Sequence, residues 1–515
     1  MTDSNSNFNR LGALRRYVPL AVWVIVILVV LAIPLKIIGY GFLPGDDALR
    51  HAAKAVSGKP WPDILVMGPA FQIDHNFGWH FLLRQFHLWS KCSTEGLVLF
   101  AVVALFTLVS WSALPWLKRP EAWLITLAAA ALTSDVPLRF LIGRPFLVTI
   151  AGLLTILFVW QVRGSSPPKW WTVLWMSPLI AICTFVHGVW YLWMLPVAAF
   201  FLAGQFRWGL TLIAGWVAGV FLGASLTGHP FESIYQALVM AYRAFGMHIT
   251  QRTMVTEFQS SSGDVFALIL LGGLLILRQL AGLKARPLTS NPAFWLACLA
   301  WVLSFKAVRF TEDWGWPALM VLVTCDLQLL LQARFAADSF KRLALTGGLA
   351  AVTFLVITND HNSRWTYNLT QQYLTQDNPD LNGWLPEKGG ILYSADMTIF
   401  YQTFFKNPNA DWRYILGYEP ALMPDEDFQV YHTIMWNFGD AKAYEPWVKK
   451  MRPQDRLVIR GSKGSLPSSS QLEWEYGVSG IWIGRVPRTN APPPAPTIPA
   501  TATRETSTNS VNSAK

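Results

Sequence analysis

The sequence predicts a polytopic α-helical membrane protein with about eleven transmembrane helices and a small α/β domain at its C-terminal end. Of its 515 residues, 53% are hydrophobic and only 14% are charged, whereas soluble proteins carry about 25% charged residues. Apolar runs recur along the first 358 residues, and the first of them is long enough to cross a hydrocarbon layer of roughly 30 Å. Beyond residue 359, short strand-like runs alternate with helical stretches, which is typical of a small globular domain.

Eleven apolar segments are predicted to span the membrane as helices, which satisfy their backbone hydrogen bonds internally. The first is longer than a signal-peptide core and lacks a small-residue cleavage pattern, so we expect it to be retained. Basic residues fall in alternate loops, and this positive-inside pattern places the N-terminus in the cytoplasm. The predicted spans are 17–39, 95–117, 121–134, 146–163, 171–186, 189–204, 209–226, 264–281, 292–308, 315–333 and 342–358.

The predicted organisation has four parts. A cytoplasmic N-terminus (1–16) precedes a transmembrane core (17–358) whose first outer loop covers 40–94. An extracytoplasmic α/β domain (359–487) follows, with strand-like runs GGILYSAD, DWRYILGY, DRLVIRG and GIWIGRV. The remaining tail (488–515) is rich in Pro, Thr and Ser, and we expect it to be disordered.

Composition also argues against several classes of protein. The net charge of +10 lies mainly in short loops, which indicates membrane orientation and contact with anionic lipid before nucleic acid. No nucleic-acid module, Walker loop or GxGxxG fingerprint is present, so a nucleotide site is not expected. The four cysteines form no CxxC pair, and this spacing disfavours a structural zinc site or a disulfide framework.

Two adjacent acids, Asp46 and Asp47, follow the first span in the run GDDALRHAAKAVSG. The run predicts a short amphipathic helix in which Asp47 and His51 share one face, because they are four residues apart. A carboxylate beside an imidazole could deprotonate a hydroxyl group or hold a divalent cation. The alternative is structural, with Asp46 as the helix N-cap and an ion pair between Asp46 and Arg50.

A second polar cluster lies in the same loop, at Asp74, His75 and His80. These side chains could add metal ligands or phosphate partners to the first two acids, although their spacing matches no established metal signature. The aromatic residues beside them also suit a helix that lies in the membrane interface. A divalent cation, Mg²⁺ or Mn²⁺ held by Asp46, Asp47 and Asp74, is the one cofactor that the sequence leaves open.

Arg139 and Arg144 lie in the next outer loop, where the orientation rule does not account for positive charge. The planar guanidinium group of arginine suits a phosphate and stays charged at every relevant pH. We therefore expect these arginines to bind a donor phosphate. The alternative is that their side chains snorkel towards lipid headgroups.

Two further outer segments carry candidate residues. His187 stands in an apolar stretch beside a Trp/Tyr cluster, where it is either a structural hydrogen-bonding group or a supporting functional residue. Lys306, Arg309, Glu312 and Asp313 lie at one span end. This pattern predicts an anion site with Arg309 and Lys306 as phosphate partners and Glu312 in support, and an internal ion-pair network is the alternative.

One arrangement would unite these residues. Acids from the first outer loop would face arginines from later loops across a cavity at membrane level. A lipid-phosphate substrate needs cations for its phosphate and apolar walls for its tail. Transfer of its sugar needs a base for the attacking hydroxyl group. Because the phosphate leaves as an anion, this chemistry needs no nucleotide site.

The chain resembles the GT-C class of integral-membrane glycosyltransferases, which use polyprenyl-phosphate-linked sugars. The segments GDDALRHAAKAVSG, RPFLVTIAGLLTIL and HGVWYLW carry the resemblance, together with RFTEDWGWP, which is similar to an R-[FY]-x-x-x-x-P element. The run ILYSADMTIFYQTFFKNPNADWRYILGYEPALM also resembles the outer domain of bacterial members with no assigned substrate.

The resemblance implies a GT-C-like core, with Asp46 or Asp47 as general base or metal ligand and Arg309 near the lipid phosphate. The chain lacks a WWDYG-type signature, which makes asparagine a less suitable acceptor than a glycan, lipid or hydroxyl group. Our hypothesis is an inverting glycosyltransferase of the bacterial inner membrane. It would move a sugar from a polyprenyl-phosphate donor to an envelope glycan, lipid or protein on the outer face.

Two other hypotheses stay open at this point. A transporter or flippase for a lipid-linked sugar would use the same charges to line a path, but no internal repeat typical of transporters is evident. A non-catalytic subunit of an envelope assembly complex would use its outer domain for docking. Replacement of Asp47 separates the enzyme from this last alternative.

Overall fold

The computed structural model describes residues 14–71, 73–133, 135–246, 259–261, 263–467, 471–478 and 480–487. The predicted disordered tail lies outside these residues. The described chain is mostly helical, with a small sheet near its C-terminal end. The helices up to residue 358 are α1 (Val18–Ile38), α2 (Asp47–Ser57), α3 (Trp61–Ile64), α4 (Phe77–Ser90), α5 (Thr94–Ala113), α6 (Glu121–Ala130), α7 (Asp135–Leu141), α8 (Phe146–Arg163), α9 (Trp171–Val186), α10 (Met194–Leu202), α11 (Phe206–Ser225), α12 (Pro230–Gly246), α13 (Val265–Leu280), α14 (Pro292–Ser304), α15 (Trp316–Arg334) and α16 (Phe340–Thr358).

Each of the eleven predicted spans coincides with an apolar helix. Among the described residues, six helices are long and apolar enough to cross a membrane: α1, α5, α8, α11, α15 with the turn before it, and α16. The shorter apolar helices are α6, α9, α10, α13 and α14. The chain therefore has the helices of a membrane protein, and the crossing of the bilayer by the five shorter ones stays a prediction.

The first outer loop folds into helices that cover one end of this core. Asp46 caps α2, since its side chain accepts a hydrogen bond from the backbone N–H of Ala48 at 3.5 Å. Gly58 ends the helix with φ +61°, a left-handed conformation that favours glycine. Small residues such as Ala52 and Ala53 are fully buried on α2, so neighbouring helices can approach it closely.

A five-stranded mixed sheet organises the C-terminal domain. Its order is β2-β1-β3-β5-β4, with β1 parallel to β2 and β3, and β5 antiparallel to β3 and β4. The four strand-like runs predicted from sequence contain β1, β2, β3 and β5; β4 was not predicted, because its EWEY sequence alternates with charged residues at an edge. The elements are β1 (Ile391–Tyr393), α17 (Met397–Lys406), β2 (Arg413–Tyr414), α18 (Asp425–Trp436), α19 (Glu445–Lys450), β3 (Arg456–Arg460), β4 (Glu473–Tyr476) and β5 (Ile481–Arg485).

The C-terminal domain packs directly on the first outer loop. Helix α17 lies against α2, and Leu65 forms a parallel bridge with Tyr414 of β2. The amide of Gly68 donates to the carbonyl of Leu422 at 2.8 Å. Lys406 and Glu95 add an ion pair of 2.6 Å. These contacts bring residues beyond position 400 to the end of the helical core that the first loop covers.

A buried ion pair joins α6 to α16 inside the core. Arg342 donates to Glu121 through Nε at 2.6 Å and through Nη2 at 2.9 Å. The side chain of Glu121 has no solvent exposure, and that of Arg342 is 3% exposed. The two oxygens of the carboxylate are thus matched by the planar guanidinium group.

Replacement of Arg342 by Gln should lower the free energy of unfolding by about 3–5 kcal/mol, because it leaves the Glu121 carboxylate buried with its main partner removed. The neighbouring variant Lys341→Gln is the matched control, since Lys341 is exposed. Thermal unfolding of both proteins in nanodiscs checks this. Equal melting temperatures for the two variants would show that the pair does not stabilise the core.

Candidate active site

A polar cavity of about 80 Å³ lies at the covered end of the helical core, between the first outer loop and the C-terminal domain. It has both charged and aromatic walls. Its polar side chains come from the first loop (Asp47, Arg50, His51, His75 and Asn76), from the end of the helical core (Arg144, His187, Tyr191 and Arg309) and from the C-terminal domain (Tyr401, Tyr418 and Glu419).

The N-terminus of α2 is held by two arginines. Asp47 Oδ1 accepts from Arg50 Nε at 2.6 Å, and its Oδ2 lies 3.9 Å from Arg144 Nε. Arg144 Nη2 donates to Asp46 Oδ2 at 2.8 Å. Burial alone would raise the pKa of Asp47, yet the charges of Arg50 and Arg144 hold that pKa far below its usual range. Asp47 is therefore an ionised carboxylate at the cavity wall.

These contacts correct one expectation, the ion pair between Asp46 and Arg50. Asp46 precedes the first turn of α2, where its carboxylate caps the helix and meets Arg144. Arg50 pairs with Asp47 instead. Its guanidinium carbon lies 3.9 Å from the ring centre of Tyr418, a cation–π contact that ties the arginine to the C-terminal domain.

Arg309 reaches the cavity from the turn before α15. Its Nε donates to Asp313 Oδ2 at 2.9 Å, and its Nη2 lies 3.4 Å from His187 Nε2. The other ring nitrogen of His187 lies 3.4 Å from Thr149 Oγ1. The backbone forms a π-helical turn over Thr311–Gly315, a local widening that recurs at functional sites.

The predicted residues that do not line the cavity include Arg139, Lys306 and Glu312. Arg139 donates to Asp313 Oδ1 through Nε at 2.9 Å and Nη2 at 2.7 Å, and it lies 3.5 Å from Glu312 Oε2. Arg139 is buried in this ion-pair network, whereas Lys306 is exposed. The structure thus brings Arg144 and Arg309 to the cavity and places Arg139 behind Arg309, on the shared carboxylate of Asp313.

A chain of three side chains leads from the first loop to the cavity. Asp74 Oδ2 lies 2.6 Å from His80 Nδ1, and His80 Nε2 lies 2.8 Å from His51 Nδ1. His51 is only 1% exposed, and its Nε2 has no hydrogen-bond partner among the described residues. Burial lowers the pKa of His51 well below its ordinary value, so this imidazole is neutral.

His75 packs on the backbone between α9 and α10. Its carbonyl accepts from the amide of Gly188 at 3.1 Å. A Cβ atom on Gly188 would lie 2.8 Å from the His75 ring, so the close approach requires glycine. Burial lowers the pKa of His75 to about 4, which makes it a neutral group at the cavity wall.

The C-terminal residues of the cavity were missed by sequence reasoning. Tyr401 lies on α17, while Tyr418 and Glu419 follow β2 in the run RYILGYEPALM. A single acid within this apolar run was the signal that could have indicated Glu419. Burial raises the pKa of Glu419 to about 7, although Arg309 opposes the shift.

The three carboxylates considered for a divalent cation do not converge. Asp46 pairs with Arg144, Asp47 pairs with Arg50, and Asp74 contacts His80. Within the described ranges, no group of three His, Cys, Asp or Glu side chains is arranged to hold a metal ion. These donors do not fit a cation site, since their oxygens already face cationic or N–H groups.

No protein-family model and no curated protein sequence match the chain. Among solved structures, the chain is similar to the arabinofuranosyltransferase AftD from mycobacteria, determined by single-particle cryo-EM. The similarity has a TM-score of 0.48 and 14% sequence identity, and it covers 93% of this chain. The chain spans 40% of the length of AftD.

The pKa of Glu419 predicts a pH-dependent stability. Because this pKa is about 7 in the folded protein against an ordinary 4.5, the folded state binds more protons between those values. The stability that Glu419 contributes should therefore fall as pH rises from 4.5 towards 7, whereas the lowered pKa values of His51 and His75 act in the opposite direction. The melting temperature of Glu419→Gln should accordingly rise more, or fall less, over this range than that of wild type. Thermal melts across this range compare the two proteins. Identical pH profiles would contradict a buried, protonated Glu419.

Proposed function

We propose that the protein is a membrane glycosyltransferase that moves a sugar from a polyprenyl-phosphate donor to a hydroxyl group. The acceptor would be an envelope glycan, lipid or protein at the outer face of the bacterial inner membrane. One observation carries the proposal: an ionised carboxylate, Asp47, shares a cavity at the end of apolar helices with the guanidinium groups of Arg144 and Arg309. A substrate with an anionic head and an apolar tail matches this combination.

Arg144 and Arg309 would bind the donor phosphate. Their side chains are 16% and 17% exposed, so a phosphate could contact them where water is largely excluded. Each arginine is oriented by an acid, Asp46 and Asp313 respectively. Guanidinium groups held in this way stabilise the negative charge that grows on a departing phosphate without reorganising during the reaction.

Asp47 would contact the acceptor hydroxyl group and the developing positive charge at the anomeric carbon. In an inverting transfer, the acceptor oxygen forms a bond to that carbon while the carbon–oxygen bond to phosphate breaks. The electron pair of the broken bond leaves with the phosphate. Since Arg50 and Arg144 keep the carboxylate ionised, Asp47 can accept a hydrogen bond and stabilise positive charge throughout this step.

Apolar side chains complete the cavity and would contact the donor beyond its phosphate. Phe146, Val189 and Met240 line it beside the charged groups. Phe146 begins α8, which is one of the helices of membrane-spanning length. A polyprenyl chain could therefore extend from the phosphate along the helical core into lipid. Arg139, in this proposal, orients Arg309 through Asp313 instead of binding the phosphate itself.

Asp47→Asn should reduce the release of polyprenyl phosphate by about 10²–10³-fold, because it removes a fixed charge from the reacting centre. The purified protein in nanodiscs is incubated with a panel of polyprenyl-phosphate sugars and a membrane extract as acceptor, and mass spectrometry follows the product. Asp63→Asn is the matched control, since Asp63 is an exposed acid of the same loop.

The proposal is supported if wild type and Asp63→Asn release polyprenyl phosphate and a folded Asp47→Asn does not. Movement of intact donor across the bilayer without cleavage would favour a flippase. No release from any donor would reject the glycosyltransferase and favour an assembly subunit. Equal release by all three proteins would keep the activity and reject the role of Asp47.

A further inference from the structure

We propose that His51 is the general base that removes the proton of the acceptor hydroxyl group, and that His80 and Asp74 position it. This inference rests on the proposed glycosyl transfer and assigns its proton acceptor. The observations are the unbroken chain of contacts at 2.6 and 2.8 Å from Asp74 to His51, the position of His51 in the cavity wall, and its buried Nε2, which has no hydrogen-bond partner in the described part of the chain.

The carboxylate at the far end determines the tautomer of both rings. Asp74 is ionised, because His80 and Lys54 lower its pKa although burial opposes them. It can only accept, so the proton of His80 lies on Nδ1 and the lone pair on Nε2. That lone pair accepts from Nδ1–H of His51, which leaves the lone pair of His51 on Nε2. The chain of contacts thus leaves a basic nitrogen, buried and without a hydrogen-bond partner among the described residues, on a side chain that lines the cavity.

Asp47 is less suited to keep a proton. Its carboxylate accepts from Arg50 and lies near Arg144, and both guanidinium groups lower its affinity for a proton. Nε2 of His51, by contrast, has no hydrogen-bond partner among the described residues, although burial and the charges of Arg50 and Arg144 lower the pKa of His51 as well. The ionised carboxylate and the neutral imidazole therefore have separate roles: Asp47 contacts the hydroxyl group, and His51 takes the proton.

The step balances without another reactant. The acceptor O–H bond breaks, its electron pair forms the bond to the anomeric carbon, and the proton moves to His51 Nε2. The resulting imidazolium donates through Nδ1 to His80 Nε2, and His80 donates through Nδ1 to Asp74. The negative charge of Asp74 stabilises this cation, as in other carboxylate–histidine pairs. After product release the proton leaves to water.

Other charged or titratable groups surround His51, and the activity test must distinguish their titration from that of His51. Glu419 is the main rival for a titration in the activity profile, because its pKa is about 7. The groups are Arg50 and Asp47 on α2, His80 and Asp74 from α4 and the turn before it, Tyr401 on α17, and Arg144 and Glu419 across the cavity.

The tautomer can be measured without any substrate. Solid-state NMR of ¹⁵N-histidine-labelled protein in nanodiscs, with His51 assigned from the His51→Gln spectrum, should find Nδ1 protonated and Nε2 unprotonated. Asp74→Asn should shift His51 towards the opposite tautomer, because an asparagine amide can donate to His80. Protonated Nε2 in wild type, or no change in Asp74→Asn, would overturn the inference whatever the enzyme transfers.

Activity gives the second test. His51→Gln should slow transfer by about 10²–10⁴-fold with donor binding retained, and Asp74→Asn by about tenfold or more. In wild type the rate should rise with pH as His51 loses its proton, and Asp74→Asn should move this rise to lower pH, because the carboxylate raises the proton affinity of the pair. Glu419→Gln should leave the rise in place.

The outcomes separate the two proposals. If wild type is active and His51→Gln transfers at the same rate, His51 is rejected as the base and the glycosyltransferase is kept. The same conclusion follows if the rise of the rate with pH disappears only in Glu419→Gln. If wild type is inactive with every donor, the glycosyltransferase is rejected. The NMR tautomers then test the hydrogen-bonded chain from Asp74 to His51 independently of activity.

A second, independent observation lies at the other end of α8. A cavity of about 350 Å³ there is lined by four cations and one described acid, Asp326. Arg278 is paired with Asp326 and with the carbonyl of Arg286. We infer that this cavity binds the phosphate headgroup of an anionic lipid, next to apolar walls that include Phe158 and Leu322. The remaining cations are Lys118, Lys284 and Arg286.

Arg286 is oriented for such a ligand. Its Nη2 donates to the carbonyl of Gln161 at 3.1 Å, and its guanidinium carbon lies 5.0 Å from the ring centre of Trp160. Its Nη1 is buried and has no hydrogen-bond partner among the described residues. A phosphate oxygen would supply that partner and would offset the excess positive charge of the cavity.

Native mass spectrometry of delipidated protein tests this second site with phosphatidylglycerol and phosphatidylcholine of equal acyl chains. Wild type should prefer phosphatidylglycerol, and the double variant Arg286→Gln/Lys284→Gln should lose about tenfold or more of that affinity. Lys341→Gln removes an exposed cation outside the cavity and should have little effect. Equal losses in both variants, or inorganic phosphate binding as well as the lipid, would overturn the assignment.

Discussion

The candidate site depends on Arg144, which joins the N-terminus of α2 to the loop before α8. It contacts both Asp46 and Asp47, residues almost a hundred positions away in the sequence. Two adjacent carboxylates would repel each other at the edge of a membrane, where water screens charge poorly. Because Arg144 contacts both carboxylates and Arg50 pairs with Asp47 as well, the first loop can be placed on the helical core with its acids directed inward.

The second constraint is the packing of the C-terminal domain on α2. Small side chains on α2 allow α17 to approach it closely, and the backbone pairing of Leu65 with Tyr414 aligns the domain with the loop. Tyr418 then covers Arg50, and Glu419 enters the cavity. The domain therefore forms part of the wall of the site, so its role extends beyond that of a separate docking module.

Local rules were sufficient to predict much of the fold from sequence. Apolar segment lengths predicted the helices of the core, and the run GDDALRHAAKAVSG predicted the short helix α2. The site was harder, because its pairs are distant in sequence: Arg139 with Asp313 and His51 with His80 follow from how helices pack. Asp47, Arg144 and Arg309, which the sequence named as candidates, line the cavity, but sequence reasoning gave Arg50 to the wrong acid and missed Glu419.

The origin of the cavity walls has a consequence for biosynthesis. Tyr401, Tyr418 and Glu419 belong to a domain that the ribosome makes after all the core helices. Until that domain folds, α2 lacks its contacts with α17, and Arg50 lacks the ring of Tyr418. A nascent chain that extends only to α16 therefore has the described core helices but an open pocket that lacks part of its wall.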